Sequence, residues 1–266
     1  MKNMNRLKVW VKGMKLLRAF YGILLALLGA YLTNNLDFFI LFKVLAVFFA
    51  WEYTVVLNNI YDLEIDKLAK NENPFLLKLI EKEEYLKLGI TMGLIAIVFS
   101  FFPSMMVTLL ILLALFLGTI YSVPPLRLRR YPLTSCFIAI GSVISLMIGM
   151  LPCELYNYAI LFLVIFFSVS IGTLIRDLES YEADKKAGVK TIFTLLGKEE
   201  GKKVVSSLLF LSFLPPILLF QKIFFLFILG GFFSSLLFFK TENYRLVMLI
   251  VMGLFIVCAL QLKGLF

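Results

Sequence analysis

The acidic residues of this 266-residue chain gather in two main places. One stretch, from Asn58, reads NNIYDLEIDKLAKNENP, and the other, from Arg176, reads RDLESYEADKKAGVKT. In the first, Asn58, Asp62 and Asp66 recur at i, i+4 and i+8, so a helix continued through them carries all three on one stripe. In the second, Asp177, Ser180 or Tyr181, and Asp184 recur at i, i+3 or i+4, and i+7, which makes a second stripe. Two such stripes facing one another form a strongly negative pocket, and like charges held close raise each other's pKa unless a cation intervenes. Oxygen-only ligands suit Mg²⁺, which keeps waters and takes one or two carboxylates together with substrate phosphates. Neighbouring Lys and Arg side chains can then hold diphosphate oxygens. The plainer alternative is a solvated helix end whose acids are balanced by basic neighbours. One stripe alone suits that alternative; two with matched placement favour a site.

The elements that carry these stripes are apolar. The composition is 61% apolar with 28 Phe, and the mean hydropathy is +0.96. Soluble domains are about 45–50% apolar, so a chain of this size must use lipid as solvent. Nine segments approach the ~20 apolar residues of a spanning helix, near 14–33, 38–57, 85–102, 104–121, 133–151, 156–175, 204–220, 223–239 and 244–262. Their unbroken apolar character excludes a barrel, whose strands alternate. With nine spans, all basic residues except Lys43, Lys222 and Lys263 fall on one side, which the positive-inside rule makes cytoplasmic. Each acidic stripe then sits at the cytoplasmic end of an even-numbered segment, four segments apart. The expected architecture is an all-α, multi-pass cell-membrane protein. A duplicated four-helix unit plus one helix encloses a central cavity, and residues 1–266 form a single domain.

The net charge of +9 is therefore one-sided. It implies contact with anionic membrane lipid and gives no reason to invoke nucleic acid. Histidine is absent, which removes histidine acid–base chemistry, histidine haem ligation and most zinc sites. Cys136, Cys153 and Cys258 show neither metal-type spacing nor a disulfide framework. No small-residue cleavage site follows the first apolar run, so that run is read as retained. Glu52 lies inside the second span, where an ionisable group is functional by default; it either touches a substrate or bonds a neighbouring helix. Lys43 is expected to snorkel outward.

Three motifs together resemble the UbiA superfamily of intramembrane prenyltransferases. Its first motif, commonly N-D-x-x-D-x-x-x-D, is similar to the run from Asn58 to Asp66. Its second, commonly D-x-x-D-x-x-x-D-K-x-x-G-x-x-T, is similar to the run from Asp177 to Thr191. Its Y-S-x-P-P-x-R-L-K-R segment is similar to YSVPPLRLRR, Tyr121 to Arg130, and TIFTLLGKEEG resembles the lead into the seventh helix. The resemblance spans nearly the whole chain. There are departures. Asn59 stands where the family usually has Asp, and Ser180 replaces the middle Asp of the second motif. Asn73-Pro74 lacks the usual Arg between them, leaving Lys70 or Lys78 to stand in.

The resemblance implies transfer of a prenyl chain from an allylic isoprenyl diphosphate to a lipophilic acceptor, such as a quinone precursor or a glycerol-ether lipid. It implies Mg²⁺ held by Asn58, Asp62, Asp177 and Asp184 with Asp66 assisting, and diphosphate held by Arg18, Lys70, Arg127 and Arg176. Tyr121, with Ser122, would face the allylic cation, since an aromatic ring attracts cations; an interfacial anchor is the alternative for Tyr121. Glu52 would touch the acceptor or act as a base. Two rival classes stand beside this reading: a secondary transporter, opposed by acids that cluster at one membrane face rather than at midplane, and a noncatalytic isoprenoid-binding homologue, kept open by Asn59, Ser180 and the missing Arg.

Overall fold

The computed structural model describes residues 16–69, 80–132, 134–218, 220–243, 246–247 and 250. Among them there is no strand. The α-helices are α1 (Leu16–Leu32), α2 (Ile40–Tyr61), α3 (Leu63–Leu68), α4 (Lys82–Phe101), α5 (Met105–Ser122), α6 (Thr134–Met150), α7 (Ala159–Leu174), α8 (Tyr181–Lys186), α9 (Ile192–Leu196), α10 (Lys198–Ser212) and α11 (Phe224–Thr241). Eight of the expected apolar segments thus contain a helix. Among the described residues six helical stretches are long and apolar enough to cross a membrane, and two shorter apolar helices cover Ala19–Thr33 and Ser135–Met150. The segment expected at 244–262 lies almost wholly outside the described residues, so the count of nine is not established.

Local chemistry explains the breaks. Pro103 interrupts the run after α4, and Ser104, in extended conformation, accepts from the Val107 N–H at 3.3 Å to start α5. Thr191 opens α9 with a capping box closed by Thr194. Gly197, at φ +84°, joins α9 to α10 in a left-handed conformation that side chains resist.

The chain forms two compact units, residues 1–129 with 144–155 and residues 130–143 with 156–266. In the first, α2 packs against α1, α4 and α5. The C-terminal part of α6 meets α1 backbone to backbone: a Cβ on Gly149 would lie 1.8 Å from the Ala26 carbonyl oxygen, and one on Gly29 would lie 2.3 Å from the Leu146 oxygen. Small residues permit this approach, which gains dispersion contacts where lipid removes the hydrophobic drive. Asn35 Nδ2 donates to the Met150 carbonyl at 2.7 Å, and Lys43 Nζ donates to that of Leu151 at 2.6 Å. Lys43 is 2% exposed, so it does not snorkel outward as expected. The orphan carbonyls at the end of α6 recruit it inward. In the second unit, Leu174, Ile175, Phe193, Val205, Leu209, Phe213 and Phe227 form the core. Phe20, Leu94, Phe116, Ile160 and Phe232 are exposed, as lipid-facing residues are.

Candidate metal and diphosphate site

In the first unit the acidic stripe is not one continuous helix. α2 ends at Tyr61, and Asp62 takes φ −98°, ψ 14° before α3 begins. The Tyr61 carbonyl, which an unbroken helix would offer to residue 65, accepts instead from Arg127 Nη2. The ladder still passes through the bend, Asp62 N–H to Asn58 O at 2.9 Å and Asp66 N–H to Asp62 O at 2.9 Å. Both carboxylates remain buried, Asp62 at 1% exposure and Asp66 at 5%.

Asp62 is surrounded by donors. Arg129 Nε stands 2.8 Å from Oδ2, Arg127 Nη2 stands 3.5 Å from Oδ1, and Asn58 Nδ2 also donates to Oδ2. Burial pushes the Asp62 carboxyl above the ordinary carboxylate range, while Arg129 and then Arg127 act in the opposite direction and Asp66 adds to the rise. Arg127 sits at φ +38°, a conformation that costs a non-glycine residue about 1–3 kcal/mol and persists where surrounding contacts over-determine it. Those contacts are the Tyr61 carbonyl and Asp62. Arg129, at the Lys position of the Y-S-x-P-P-x-R-L-K-R segment, was not among the residues expected at the site, yet it makes the shorter of the two guanidinium contacts to Asp62.

Further up α2, Glu52 is wholly buried. Asn59 is buried too, and its Nδ2 donates to the Tyr85 hydroxyl at 3.0 Å. Glu52 lies close enough to Tyr85 to interact with it electrostatically. Tyr85 was legible only as the start of an apolar segment. At the end of α5, Ser122 is wholly buried and Tyr121 half-buried. Arg18 lies on α1 with its side chain outside the described set, and Lys70 lies outside the described residues.

The second unit repeats the bend. α7 ends at Leu174, a 3₁₀ turn covers Ile175–Leu178, and Ser180 precedes α8. α3 and α8 are both six residues long. Their preceding residues match, Asp62 at φ −98°, ψ 14° and Ser180 at φ −93°, ψ 2°, as do their closing residues, Ala69 at φ −79°, ψ −4° and Ala187 at φ −84°, ψ −1°. Asp66 and Asp184 therefore hold the same place in the two turns, and Ser180 holds that of Asp62. The Ser180 hydroxyl donates to Asp184 Oδ2 at 2.5 Å, and Asp184 is 3% exposed. Asp177 and Arg176 are half-buried, whereas Glu179 and Glu182 face outward.

Among the described residues no three Asp, Glu, Cys or His side chains converge into a metal cage. The donor set nonetheless fits Mg²⁺: each unit presents buried carboxylate oxygen on a rigid turn, and this ion takes one or two carboxylates and fills its remaining positions with water and phosphate. A cation on Asp62 must compete with guanidinium groups already in place.

Residues 16–260 match the UbiA prenyltransferase family. The chain is 28% identical over 197 residues to a chloroplastic 2-acylphloroglucinol 4-prenyltransferase from Humulus lupulus, covering 70% of this chain and 48% of the relative. It is 27% identical over 160 residues to a digeranylgeranylglyceryl phosphate synthase from Saccharolobus solfataricus, covering 59% and 56%. The chain thus spans about half the length of these curated relatives. Among solved structures, a UbiA homologue from Archaeoglobus fulgidus bound to DMAPP and Mg²⁺ superposes with a TM-score of 0.76 at 17% identity, covering 97% of this chain and 99% of that one.

Proposed function

The chain belongs to the UbiA prenyltransferase family and is an integral membrane protein; on that premise we propose that it transfers a prenyl chain from an allylic isoprenyl diphosphate to a lipophilic acceptor. The bond between the allylic carbon and the diphosphate oxygen breaks, diphosphate leaves with the electron pair, a bond forms from the acceptor to that carbon, and the acceptor loses a proton. The observation that carries the reading is the repeated turn with a buried carboxylate at the same place, Asp66 beside buried Asp62 in one and Asp184 with half-buried Asp177 upstream in the other, in a chain matched to this family along most of its length.

In this reading Asn58, Asp62 and Asp66 on the first turn and Asp177 and Asp184 on the second hold Mg²⁺, and the loops carrying them are cytoplasmic. The ion supplies charge stabilisation to the departing diphosphate. Arg18, Lys70, Arg127 and Arg176 bind the diphosphate oxygens. Tyr121 presents its ring to the allylic carbon beside buried Ser122, and Glu52 in its buried position meets the acceptor. Removing one positioned charge contact to a leaving group lowers turnover by about 10²–10³-fold. Asp62→Asn and Asp184→Asn are each expected to lose that much while folding normally in detergent. Near-normal transfer by either variant at saturating Mg²⁺ contradicts the ligand set. Single cysteines at Lys70, Arg130 and Lys190 should react with an impermeant reagent from the inside only, and reaction from outside contradicts the cytoplasmic placement of these loops.

A further inference from the structure

Both carboxylate oxygens of Asp62 already have cationic or amide donors: Oδ2 accepts from Arg129 Nε and Asn58 Nδ2, and Oδ1 faces Arg127 Nη2. At 1% exposure Asp62 is turned away from the molecular surface. Both guanidinium groups, Arg127 and Arg129, pair with Asp62. The charge of Asp62 is therefore already compensated before any ligand arrives. In the equivalent turn of the second unit, Ser180 stands in the place of Asp62 and donates its hydroxyl to Asp184.

A divalent cation entering this turn alone would displace a guanidinium from Asp62 and leave two positive groups beside it. A polyanionic diphosphate entering alone would meet two guanidinium groups already engaged. When cation and diphosphate enter together, the cation takes Asp62 and the released guanidinium turns to a phosphate oxygen, which its fork of donors suits. We propose that Arg129, assisted by Arg127, is the resident counterion of Asp62 and makes metal and diphosphate binding interdependent, so that neither is held firmly without the other. This inference rests on the metal–diphosphate reading above. It assigns Arg129, which stands at the Lys position of the Y-S-x-P-P-x-R-L-K-R segment, a positioning role toward Asp62.

The test uses the full chain in detergent and equilibrium dialysis against Mn²⁺ and against radiolabelled inorganic pyrophosphate, each alone and together. The wild type should bind each probe weakly alone and on the order of tenfold more tightly with the other, a coupling of ordinary size. Arg129→Gln should bind Mn²⁺ alone several-fold more tightly than wild type and lose most of the coupling. Arg129→Lys, which keeps the charge, should restore part of it. Asp62→Asn, which releases the guanidinium groups, should bind pyrophosphate alone more tightly than wild type, and this arm does not depend on Arg129→Gln folding. If Arg129→Gln binds Mn²⁺ alone no more tightly than wild type, or Asp62→Asn gains nothing toward pyrophosphate, the counterion role is overturned while the metal–diphosphate reading stands. If the wild type retains no Mn²⁺ even with pyrophosphate present, that reading falls and the counterion role with it.

Discussion

Replacing Ser180 by Asp tests whether the second turn is built around a single carboxylate. The Ser180 hydroxyl donates to Asp184 Oδ2 at 2.5 Å, and Asp184 is 3% exposed. An aspartate at position 180 exchanges that donor for a second carboxylate about one side-chain length from the first. Two unit charges at roughly 4 Å repel by about 4 kcal/mol at an effective dielectric of about 20. This is the upper end, because the new side chain can turn partly away. In a protein of this size about 1 kcal/mol corresponds to about 2–4 °C in Tm. The full repulsion therefore amounts to on the order of 10 °C. The assay is thermal unfolding in detergent, first in chelator and then across a Mg²⁺ titration. Ser180→Asp should melt well below wild type in chelator and recover most of the difference as Mg²⁺ is added. Its half-maximal Mg²⁺ for diphosphate release should fall, since charge count tunes affinity in oxygen-ligand sites. Ser180→Ala, which loses only the hydrogen bond, should show no such recovery. A Ser180→Asp protein whose Tm is the same in chelator and in Mg²⁺, with an unchanged Mg²⁺ requirement, would refute the placement of Ser180 beside a metal-binding Asp184.

Gly149→Ala places a methyl group 1.8 Å from the Ala26 carbonyl oxygen; it should force α1 and α6 apart and lower stability by about 1–3 kcal/mol, read as a lower Tm, and an unchanged Tm would mean that the helices do not approach so closely. Lys43→Met leaves the Leu151 carbonyl without its donor and should cost about 1–3 kcal/mol, measured the same way. Glu242 accepts from Lys202 Nζ at 2.9 Å and pairs with Lys198 Nζ at 3.0 Å, and these contacts hold its carboxyl below the usual range. A depressed folded pKa gives stability that is present above the unfolded value, about 4.3, and is lost as pH falls through the folded value. Glu242→Gln should therefore lower Tm at pH 7, and its difference from wild type should close below about pH 4.

The apolar helices were legible because lipid imposes one requirement on long stretches, and the breaks at Pro103 and around Gln221 carry their own turn chemistry. The bend at Asp62 was not legible. Nothing between Asn58 and Asp66 is Gly or Pro, and the group that takes the Tyr61 carbonyl comes from Arg127, sixty-six positions along the chain. Lys43 shows the same limit: its charge and position suggested the outer interface, while the acceptor that buries it is the end of a helix more than a hundred residues later. Within the candidate site, spacing singled out Asp62, Asp66, Asp177 and Asp184 as candidates because a carboxylate stripe repeats at helical period. It could not rank Arg129 against Arg127, whose guanidinium groups lie 2.8 Å and 3.5 Å from Asp62 in a loop that carries a positive φ at Arg127. The pairing of Asn59 with Tyr85 joins two helices and has no local signature.

The central claim is metal-dependent transfer from a prenyl diphosphate, and the most direct measurement is diphosphate release from a radiolabelled isoprenyl diphosphate by the purified chain. The account predicts release in Mg²⁺ with a lipophilic acceptor present, abolition by chelator, recovery on returning Mg²⁺, and loss of about 10²-fold or more in Asp62→Asn. Release that is insensitive to chelator and to Asp62→Asn, or no release across both aromatic and glycerol-lipid acceptors with the donor bound, would contradict it.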